Sequence, residues 1–556
     1  MKNVFQLFLI LAISLVANAQ TKVWNVDSGK KSIAIVQWEV HDMVYKIKET
    51  IKNPYQQEAF ALVESEAGEQ KIPLFYNDNN EWVFRFSSTT VGSRKFKIKS
   101  NIKELDGKKG IFIISENKKK DRHGGIIRKK DNPRHFFYED GSHYFNLAFE
   151  CDWLFALDYG QKDMPKTDQL LDHIQNNGFN QVVMNVYAYG LDKNWVADER
   201  LQEHPEHNYG EREDIFPFWG SNSNPDYSAL NVDFFKNFDR VISKLHDREI
   251  VSHLMIYVWN KRVAWPEPGS DADNMYYNYV IKRYQAFPNI IWDVSKEATS
   301  KIALSRYKNI AEHIRNRVID TKNLDAYNRL VSVHAYGFCK NNRDIVDFIS
   351  IQNWKLGIYD YMLEAYKDFP EMPVFNIEHG GYEKSPYNVF PGGYDNAEEC
   401  LKRNYLCLFA GTYTTYYWQA AAWTAIIHNP FEQPENFVKP HFEYFKYMRK
   451  LFDKVNFEQL EPVTKYNARA YNLTDYNNGV ILLYVPKEVY NDDVRDQLEE
   501  EFDFSEATKQ WFNTLTGEFT DEEKVEYKNY YTIWDNRPFR DEADAVLLVR
   551  NLKPKN

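Results

Sequence analysis

Between residues 140 and 425 the sequence alternates strand-like apolar runs with helical patterns, and this alternation constrains the fold more than any other feature. The strand-like runs are residues 144–149, 181–186, 250–257, 290–293, 330–334, 348–351, 374–377 and 412–417. Helical patterns cover residues 167–177, 232–248, 275–286, 302–321, 357–368 and 395–409. Eight strands alternating with helices predict an α/β fold, a (β/α)8 TIM barrel over residues 135–440. The polar and aromatic segment 188–231 is then an ordered loop over the barrel mouth.

Both flanks of this region have the pattern of β-structure. In residues 20–125, short alternating runs such as Ala34-Ile35-Val36 and Trp82-Val83-Phe84 are separated by turn signals such as Asp106-Gly107. Residues 480–485, 508–513 and 545–549 repeat the pattern near the other end. Short strands at regular spacing predict an N-terminal β-sandwich over 20–125 and a C-terminal β-sandwich over 450–556.

The first nineteen residues form a separate segment. Lys2 is followed by an apolar run from Val4 to Val16, and Ala17-Asn18-Ala19 is a small-x-small cleavage pattern. This pattern predicts a signal peptide over residues 1–19 and export to the periplasm, the cell surface or the medium. A membrane anchor is the weaker alternative, because the run is shorter than the roughly 20 residues that a span requires. No later segment predicts a membrane span.

Composition argues against several classes of partner and cofactor. The formal charge of −11 disfavours nucleic acid and anionic membranes. The four cysteines show no CxxC spacing, and no HExxH pattern occurs, so we predict buried free thiols, no metal and no cofactor. Aromatic residues make up 16% of the chain, which suits either sugar stacking or aromatic cross-strand pairs. The sequence predicts neither a sugar nor an oligomeric state.

Polar and aromatic side chains follow nearly every predicted barrel strand. In a TIM barrel the reacting groups lie at the C-terminal ends of the strands. In chain order these residues are Glu150 and Asp152, Asn185 and Tyr187, Trp259 and Asn260, Asp293 and Glu297, His334 and Tyr336, Gln352 and Asn353, Glu378 and His379, and Trp418 and Gln419. Trp354 is a further candidate for sugar stacking. Their convergence on one mouth predicts a site for a polar substrate.

Glu297 after the fourth strand and Glu378 after the seventh are the strongest pair of carboxylates. Hydrolysis of a glycosidic bond requires one acid to protonate the leaving oxygen and a second carboxylate to attack carbon or activate water. The alternatives are a helix cap for Glu297 and, for Glu150 and Asp152, a buried ion pair with Lys or Arg. Asp293 either orients a partner or points toward a helix. We expect Lys296 to point away from the site.

The order of these motifs resembles a known family. Placing the acids on strands four and seven resembles clan A glycoside hydrolases. The segments 139–145, 150–153, 178–180 and 373–383 resemble apiosidase-like glycoside hydrolases, whose barrel precedes a C-terminal β-sandwich named for collagen binding. Trp511-Phe512-Asn513-Thr514-Leu515-Thr516-Gly517 resembles a stretch of that module, and the N-terminal sandwich resembles a domain often placed before such barrels. The resemblance implies a glycosidase with Glu297 as acid/base and Glu378 as nucleophile.

These observations predict a secreted enzyme that cleaves plant or algal polysaccharide or derived oligosaccharides, with retention. The predicted catalytic residues are Glu297 and Glu378. The predicted substrate-binding residues are Glu150, Asp152, Asn185, Tyr187, Trp259, Asp293, His334, Tyr336, Gln352, Trp354, His379 and Trp418. One alternative is a non-catalytic carbohydrate- or matrix-binding protein on the same scaffold. A polysaccharide lyase with His334 and Tyr336 as bases is a weaker alternative.

Overall fold

The computed structural model describes most of the chain beyond residue 23. The described residues are 24–26, 29, 31–66, 68–191, 198–387, 394–421, 423–464, 470–489, 493–496, 501–526, 533–539 and 541–555. The predicted signal peptide, residues 1–19, lies outside them. Among the described helices, none combines the length and apolar character that crossing a bilayer requires.

Eight parallel strands form the centre of the molecule. They are Ala148–Glu150, Gln181–Asn185, Val251–Val258, Ile290–Lys296, Val331–His334, Ile349–Gln352, Val374–Glu378 and Tyr413–Tyr416. The sheet order is 5-4-3-2-1-8-7-6 in chain numbering of these strands. Because both faces of such a sheet are buried, its strands are mostly apolar. The predicted fold class is confirmed.

Hydrogen bonds between the segments around the fifth and sixth strands close the barrel. The amide of Asp347 donates to the carbonyl oxygen of Val331 at 2.8 Å, and the hydroxyl of Ser332 donates to the carbonyl oxygen of Phe348 at 2.8 Å. The Asp347 carboxylate also accepts from the amide of Val331 at 2.9 Å. Closure brings all eight C-terminal strand ends to one mouth.

Helices surround the barrel. The α-helices are Pro165–Asn176, Val232–Asp247, Asp271–Tyr284, Lys301–Arg306, Ile310–Leu324, Tyr336–Asn341, Ile358–Asp368, Ala397–Phe409 and Glu443–Phe452. Short 3-10 helices cover Pro54–Gln56, Leu154–Ala156, Glu199–Gln202, Pro205–His207, Gln419–Ala421, Pro430–Glu432 and Phe457–Gln459. The single helix predicted over 302–321 is wrong: Asn309, with φ +54°, separates two helices. Side chains of Asn231, Ser270, Ser300 and Asn396 cap helix starts, as short polar residues commonly do.

Two sheets precede the barrel. One contains Trp24–Val26, His41–Lys46, Glu81–Phe86 and Phe75–Tyr76, and the other contains Ser32–Val36, Lys109–Ser115, Gly92–Ser100, Ala59–Ser65 and Gly68–Pro73. Phe84, Phe86, Phe96 and Phe112 pack between them, with Phe86 and Phe112 stacked at 4.4 Å. Burial alternates along strands of the second sheet such as Ser32–Val36 and Lys109–Ser115, which explains their alternating sequence pattern, whereas Glu81–Phe86 of the first sheet is buried along most of its length.

A six-stranded antiparallel sheet follows the barrel. Its strands, in spatial order, are Glu461–Val463, Tyr471–Asp475, Val480–Val485, Ala545–Arg550, Thr508–Asn513 and Glu523–Lys524. Leu482 and Tyr484 pack on the barrel core, whereas Ile481 and Leu483 belong to a separate small core. Shorter pairs are Asp493–Asp496 with Ile533–Asn536 and Phe502–Asp503 with Lys553–Pro554. Three pairs lie elsewhere: Ile126–Arg128 with Phe136–Tyr138, Phe218–Gly220 with Pro225–Leu230, and Tyr382–Glu383 with Tyr394–Asp395.

The four cysteines are buried and free, as predicted. Burial raises the pKa of the Cys407 thiol to about 12. Thiols in such surroundings are protonated and act as small apolar side chains.

Candidate active site

Lys296 lies inside the barrel, and the expectation that it points away from the site is wrong. Its Nζ is 2.6 Å from Oε1 of Glu150, 3.4 Å from both carboxylate oxygens of Asp152 and 3.7 Å from Oε2 of Glu378. The reason is a bulge in the fourth strand. Asp293 pairs with Ser332 and Lys296 pairs with His334. An advance of three residues along the fourth strand therefore matches an advance of only two along the fifth. The extra residue turns Lys296 to the interior.

Three carboxylates around one ammonium keep that ammonium charged. Burial alone would lower the pKa of Lys296, but Asp152, Glu150 and Glu378 outweigh burial and raise its pKa well above the usual range. The alternative that Glu150 and Asp152 form a buried ion pair is therefore what the structure shows. Glu150 and Asp152 are both fully buried, and Oε2 of Glu150 has no hydrogen-bond partner among the described residues.

Glu378 ends the seventh strand with one oxygen held and the other unbonded. The hydroxyl of Tyr382 donates to Oε1 at 2.5 Å. Oε2 accepts no hydrogen bond from the described residues, and it lies 3.7 Å from Nζ of Lys296 and 3.6 Å from Nε2 of His334. Burial, with the nearby charge of Glu297, raises the pKa of Glu378, while Lys296 and Tyr382 oppose the rise. An oriented carboxylate with one unbonded oxygen can act as a nucleophile.

Glu297 lies at the end of the fourth strand in a left-handed conformation, with φ +59°. Its side chain is half-buried. The amide of Gln352 donates to its Oε1 at 3.1 Å, and Gln352 is itself the strand partner of Glu378. Gln352, on the strand that lies next to that of Glu378 in the sheet, thus holds Glu297 through its side chain. A half-buried carboxyl at the mouth is accessible to a bound substrate, as a general acid/base must be.

Asp293 has its oxygens occupied by protein donors. Oδ1 accepts from the amides of Ser295 and His334, each at 3.0 Å, and Oδ2 is 3.3 Å from Nε2 of His253. The side chain is fully buried. Of the two roles left open for Asp293, the structure shows the orienting one, and it does not bring this residue to the mouth.

Several predicted binding residues carry polar atoms that are buried and have no hydrogen-bond partner among the described residues. These are both amide atoms of Asn185, the hydroxyl of Tyr187, the indole N–H groups of Trp259 and Trp418, and both ring nitrogens of His334. Trp153 and Tyr417 add an indole N–H and a hydroxyl that sequence reasoning missed. Buried polar groups are normally bonded. Tyr187 packs among the rings of Phe155, Phe216 and Phe234 rather than against the carboxylates. The unbonded ring of His334, which lies 3.6 Å from Glu378, fits a ligand rich in hydroxyl groups.

The remaining predicted residues lie farther from the carboxylates or support them. His379 bonds through its ring to the amide of Gly381 and the side chain of Asn404, and burial lowers its pKa to about 3. Tyr336 packs against Tyr361 and Phe369 on the outer side. Trp354 contacts Tyr382 edge-on at 5.3 Å.

Tyr382 and Lys261 are further site residues that the sequence reasoning missed. The turn Gly380-Gly381 reverses the chain after Glu378 and returns the hydroxyl of Tyr382 to it. Gly380 has φ +75°, and a Cβ there would lie 2.5 Å from the Trp354 ring. A Gly-Gly pair two residues after a candidate acid was the available signal, because such pairs mark tight reversals. No comparable sequence pattern marks Lys261 as a site residue.

One group of described residues has metal-ligating side chains close together. His204, Glu206 and His207 place their ligand atoms within 4.8 Å of one another. They lie on the segment over the barrel, and Nδ1 of His207 is 2.6 Å from the hydroxyl of Tyr387. None of the three is among the strand-end residues that form the candidate site.

Comparison with known proteins agrees with this geometry. The family model described as "Apiosidase-like, catalytic domain" matches residues 130–459, more than half of the chain. A protein of Bacteroides vulgatus, provisionally named a glycoside hydrolase, superposes with a TM-score of 0.73 at 16% identity, covering 93% of this chain and 99% of its own. A family 5 glycoside hydrolase of the same organism gives 0.51 at 16% identity, with 77% and 93% covered. No curated protein matches the sequence.

The structural similarities establish the fold, and the family model establishes the family. The matched range contains every barrel strand and both Glu297 and Glu378. It confirms the predicted enzyme class, glycoside hydrolase. The chain therefore belongs to the apiosidase-like family of glycoside hydrolases.

Proposed function

We propose that this protein hydrolyses O-glycosidic bonds in plant or algal cell-wall polysaccharides or oligosaccharides derived from them, with retention of anomeric configuration. The observation that carries the proposal is the state of Glu378, with Oε1 bonded to Tyr382 and Oε2 unbonded beside Lys296. An acid/base candidate, Glu297, is linked to the same strand pair through Gln352.

Glu378 and Glu297 have complementary roles in this proposal. Oε2 of Glu378 attacks the anomeric carbon while Glu297 protonates the leaving oxygen, which gives a glycosyl–enzyme ester. Glu297 then removes a proton from water, and the water displaces Glu378. Lys296 and Tyr382 favour the ionised form of Glu378, which the first step requires.

Two substitutions distinguish these roles. Glu378→Gln should lower kcat at least about 1,000-fold on every glycoside, because the nucleophile is lost. Glu297→Gln should lower turnover of natural linkages strongly but spare aryl glycosides with acidic leaving groups, which need no proton. Glu312→Gln, on an exposed helix position, is the matched control and should leave turnover unchanged.

The proposal includes the stereochemical outcome and the substrate class. NMR of the first-formed product from a panel of defined plant and algal oligosaccharides should show the anomer of the substrate. The opposite anomer would contradict retention. Binding without turnover would instead favour the non-catalytic carbohydrate-binding alternative, and unsaturated uronate products would favour a lyase. Export is tested by N-terminal sequencing of protein recovered outside the cytoplasm, with Gln20 expected as the first residue.

A further inference from the structure

Lys261 is a second buried lysine at the barrel mouth. It follows the third strand, Val251–Val258, by three residues, and its side chain is almost fully buried, with 2% exposed. Its Nζ lies 4.3 Å from the ring centroid of Trp423 and 5.4 Å from that of Trp153. Trp153 follows the first strand and Trp423 follows the eighth, so the ammonium lies between loops on neighbouring sides of the mouth.

Lys261 differs from Lys296 in having no anionic partner. Lys296 is within 4 Å of three carboxylates. Within the described part of the chain, the side chain of Lys261 forms neither a hydrogen bond nor an ion pair. A buried charge is costly unless it is paired and hydrogen-bonded. Contacts with two indole faces compensate only part of that cost.

The charged groups around Lys261 are those of the candidate site. Burial lowers the pKa of Lys261 to about 8, with the positive charge of Lys296 acting in the same direction and Asp152, Glu297 and Glu378 opposing it. Arg306 donates to the backbone carbonyl oxygen of Lys261 at 2.8 Å. Asp152 and Glu378 are already grouped around the ammonium of Lys296, at 3.4 Å and 3.7 Å, which offsets part of the negative charge that an incoming anion would meet.

We propose that Lys261 recognises an acidic substituent of the glycan, either a uronic acid carboxylate or a sulfate ester. The inference rests on the proposed function in that the ligand is a glycan bound at this mouth. Neutral hydroxyl groups would accept hydrogen bonds from the ammonium but leave the charge of Lys261 unpaired. An anionic oxygen accepts a hydrogen bond and also pairs with the charge. Trp153 and Trp423 would then flank the acidic sugar residue, and aromatic surfaces of this kind also suit sugar rings.

The test compares one substrate in three chemical forms. Oligosaccharides that carry both uronate and sulfate groups are used as isolated, after reduction of their carboxyl groups, and after desulfation. Binding is measured by calorimetry and turnover by reducing-end release. The proteins are the wild type, Lys261→Met, Lys261→Arg and the exposed control Lys301→Met, with thermal unfolding to establish folding.

The wild type should lose about 10-fold to 100-fold in affinity when the recognised group is removed, the usual effect of losing a charge-assisted hydrogen bond. Whether carboxyl reduction or desulfation causes the loss identifies the anion. Lys261→Met should show the same loss on the native form and match the wild type on the neutralised form. Lys261→Arg should retain most of the preference, and Lys301→Met all of it.

Two results would overturn the inference: equal wild-type affinity for the native and neutralised forms, or an equal loss by Lys261→Met on both. Turnover of neutral glycans without any role for Lys261 would reject the inference and leave the proposed hydrolysis intact. Charge-dependent binding without turnover would reject hydrolysis and support the inference. If Lys261→Met does not fold, the pH dependence of the wild type tests the inference instead. Its preference for the native over the neutralised oligosaccharide should decline as the pH rises through about 8, where Lys261 loses its charge.

Discussion

The hydroxyl of Tyr382 donates to Oε1 of Glu378 at 2.5 Å, across a turn of three residues. This bond fixes one oxygen of the predicted nucleophile and leaves Oε2 directed toward Lys296 and His334. A hydrogen bond to a carboxylate favours its ionised form. Tyr382 therefore both orients Glu378 and opposes the effect of burial on its pKa.

Tyr382→Phe should lower kcat/KM about 10-fold to 100-fold, the range expected for a lost hydrogen bond to a charged group. Because the lost bond favoured the carboxylate, the pKa of Glu378 rises further in the variant. The acidic limb of the pH–rate profile should therefore move to higher pH, since the nucleophile must be ionised. Tyr476→Phe, at a position in the C-terminal sheet region that is 36% exposed, is the control. An unshifted acidic limb would contradict this role for Tyr382.

Lys296→Met should destabilise the fold, because Glu150, Asp152 and Glu378 lose their shared cation. Breaking a buried ion pair by removing one partner costs about 3–5 kcal/mol. Burial already raises the pKa values of Glu150 and Glu378 in the folded wild type, and without the cation these values rise further above their unfolded values near 4. Such groups oppose folding increasingly as the pH rises through that interval.

Urea unfolding of the Lys296→Met variant and the wild type at pH 5 and pH 8 tests whether the loss of stability grows as the pH rises. The difference in unfolding free energy between the two proteins should be larger at pH 8. Lys340→Met, whose side chain is 53% exposed, should change stability little at either pH. A defect of equal size at both pH values would show that the charge of Lys296 is not what the carboxylates require.

The barrel was predictable because its signal is local, whereas the inner arrangement of the site was not. Each buried parallel strand is an apolar run, and each strand end carries its polar residue in the sequence itself. The orientation of Lys296 depends on a bulge between Asp293 and Lys296. That bulge is defined only by pairing with the fifth strand, which lies more than thirty residues away.

The roles of Asp293 and Tyr382 likewise could not be predicted from local sequence patterns. Asp293 follows the apolar start of the fourth strand like a mouth residue, but His253 on the third strand and the amide of His334 on the fifth occupy its oxygens. Tyr382 reaches Glu378 only because Gly380 adopts φ +75°. The role of Asp293 depends on contacts with strands distant in sequence, and that of Tyr382 depends on the conformation of a turn. Neither feature produces a periodic pattern in the sequence.

Gly380→Ala should disturb both stability and activity. A Cβ at this position would lie 2.5 Å from the Trp354 ring, and its positive φ disfavours any L side chain. We expect a loss of at least about 1 kcal/mol in unfolding free energy and a drop in kcat/KM, since the turn positions Tyr382. Gly337→Ala is the matched control: apart from its chain neighbours and its own helix backbone, nothing lies within 4 Å of a Cβ added there, and in a helix alanine is favoured over glycine by up to about 1 kcal/mol. Equal effects of the two substitutions would contradict this account.

Arg85 connects the N-terminal sheets to the barrel, and its replacement tests how firmly they are joined. Its guanidinium bonds to Asp42 in its own sheet at 2.8 Å and to Asp239 on the helix Val232–Asp247 at 2.9 Å, with only 3% of the side chain exposed. Arg283 also bonds to Asp239, at 2.6 Å.

Arg85→Met leaves Asp42 buried without its partner, so we expect a loss of about 3–5 kcal/mol. The double variant Arg85→Met/Asp42→Asn should recover part of it, because the unpaired charge is removed. Arg94→Met is the control, since its partner Glu66 is 80% exposed and such pairs contribute little. Because the network crosses from sheet to barrel, calorimetry of Arg85→Met should also show the N-terminal sheets unfolding before the barrel. A single unshifted transition would mean that the aromatic contacts around Tyr55 and Tyr279 are sufficient to hold the two parts together.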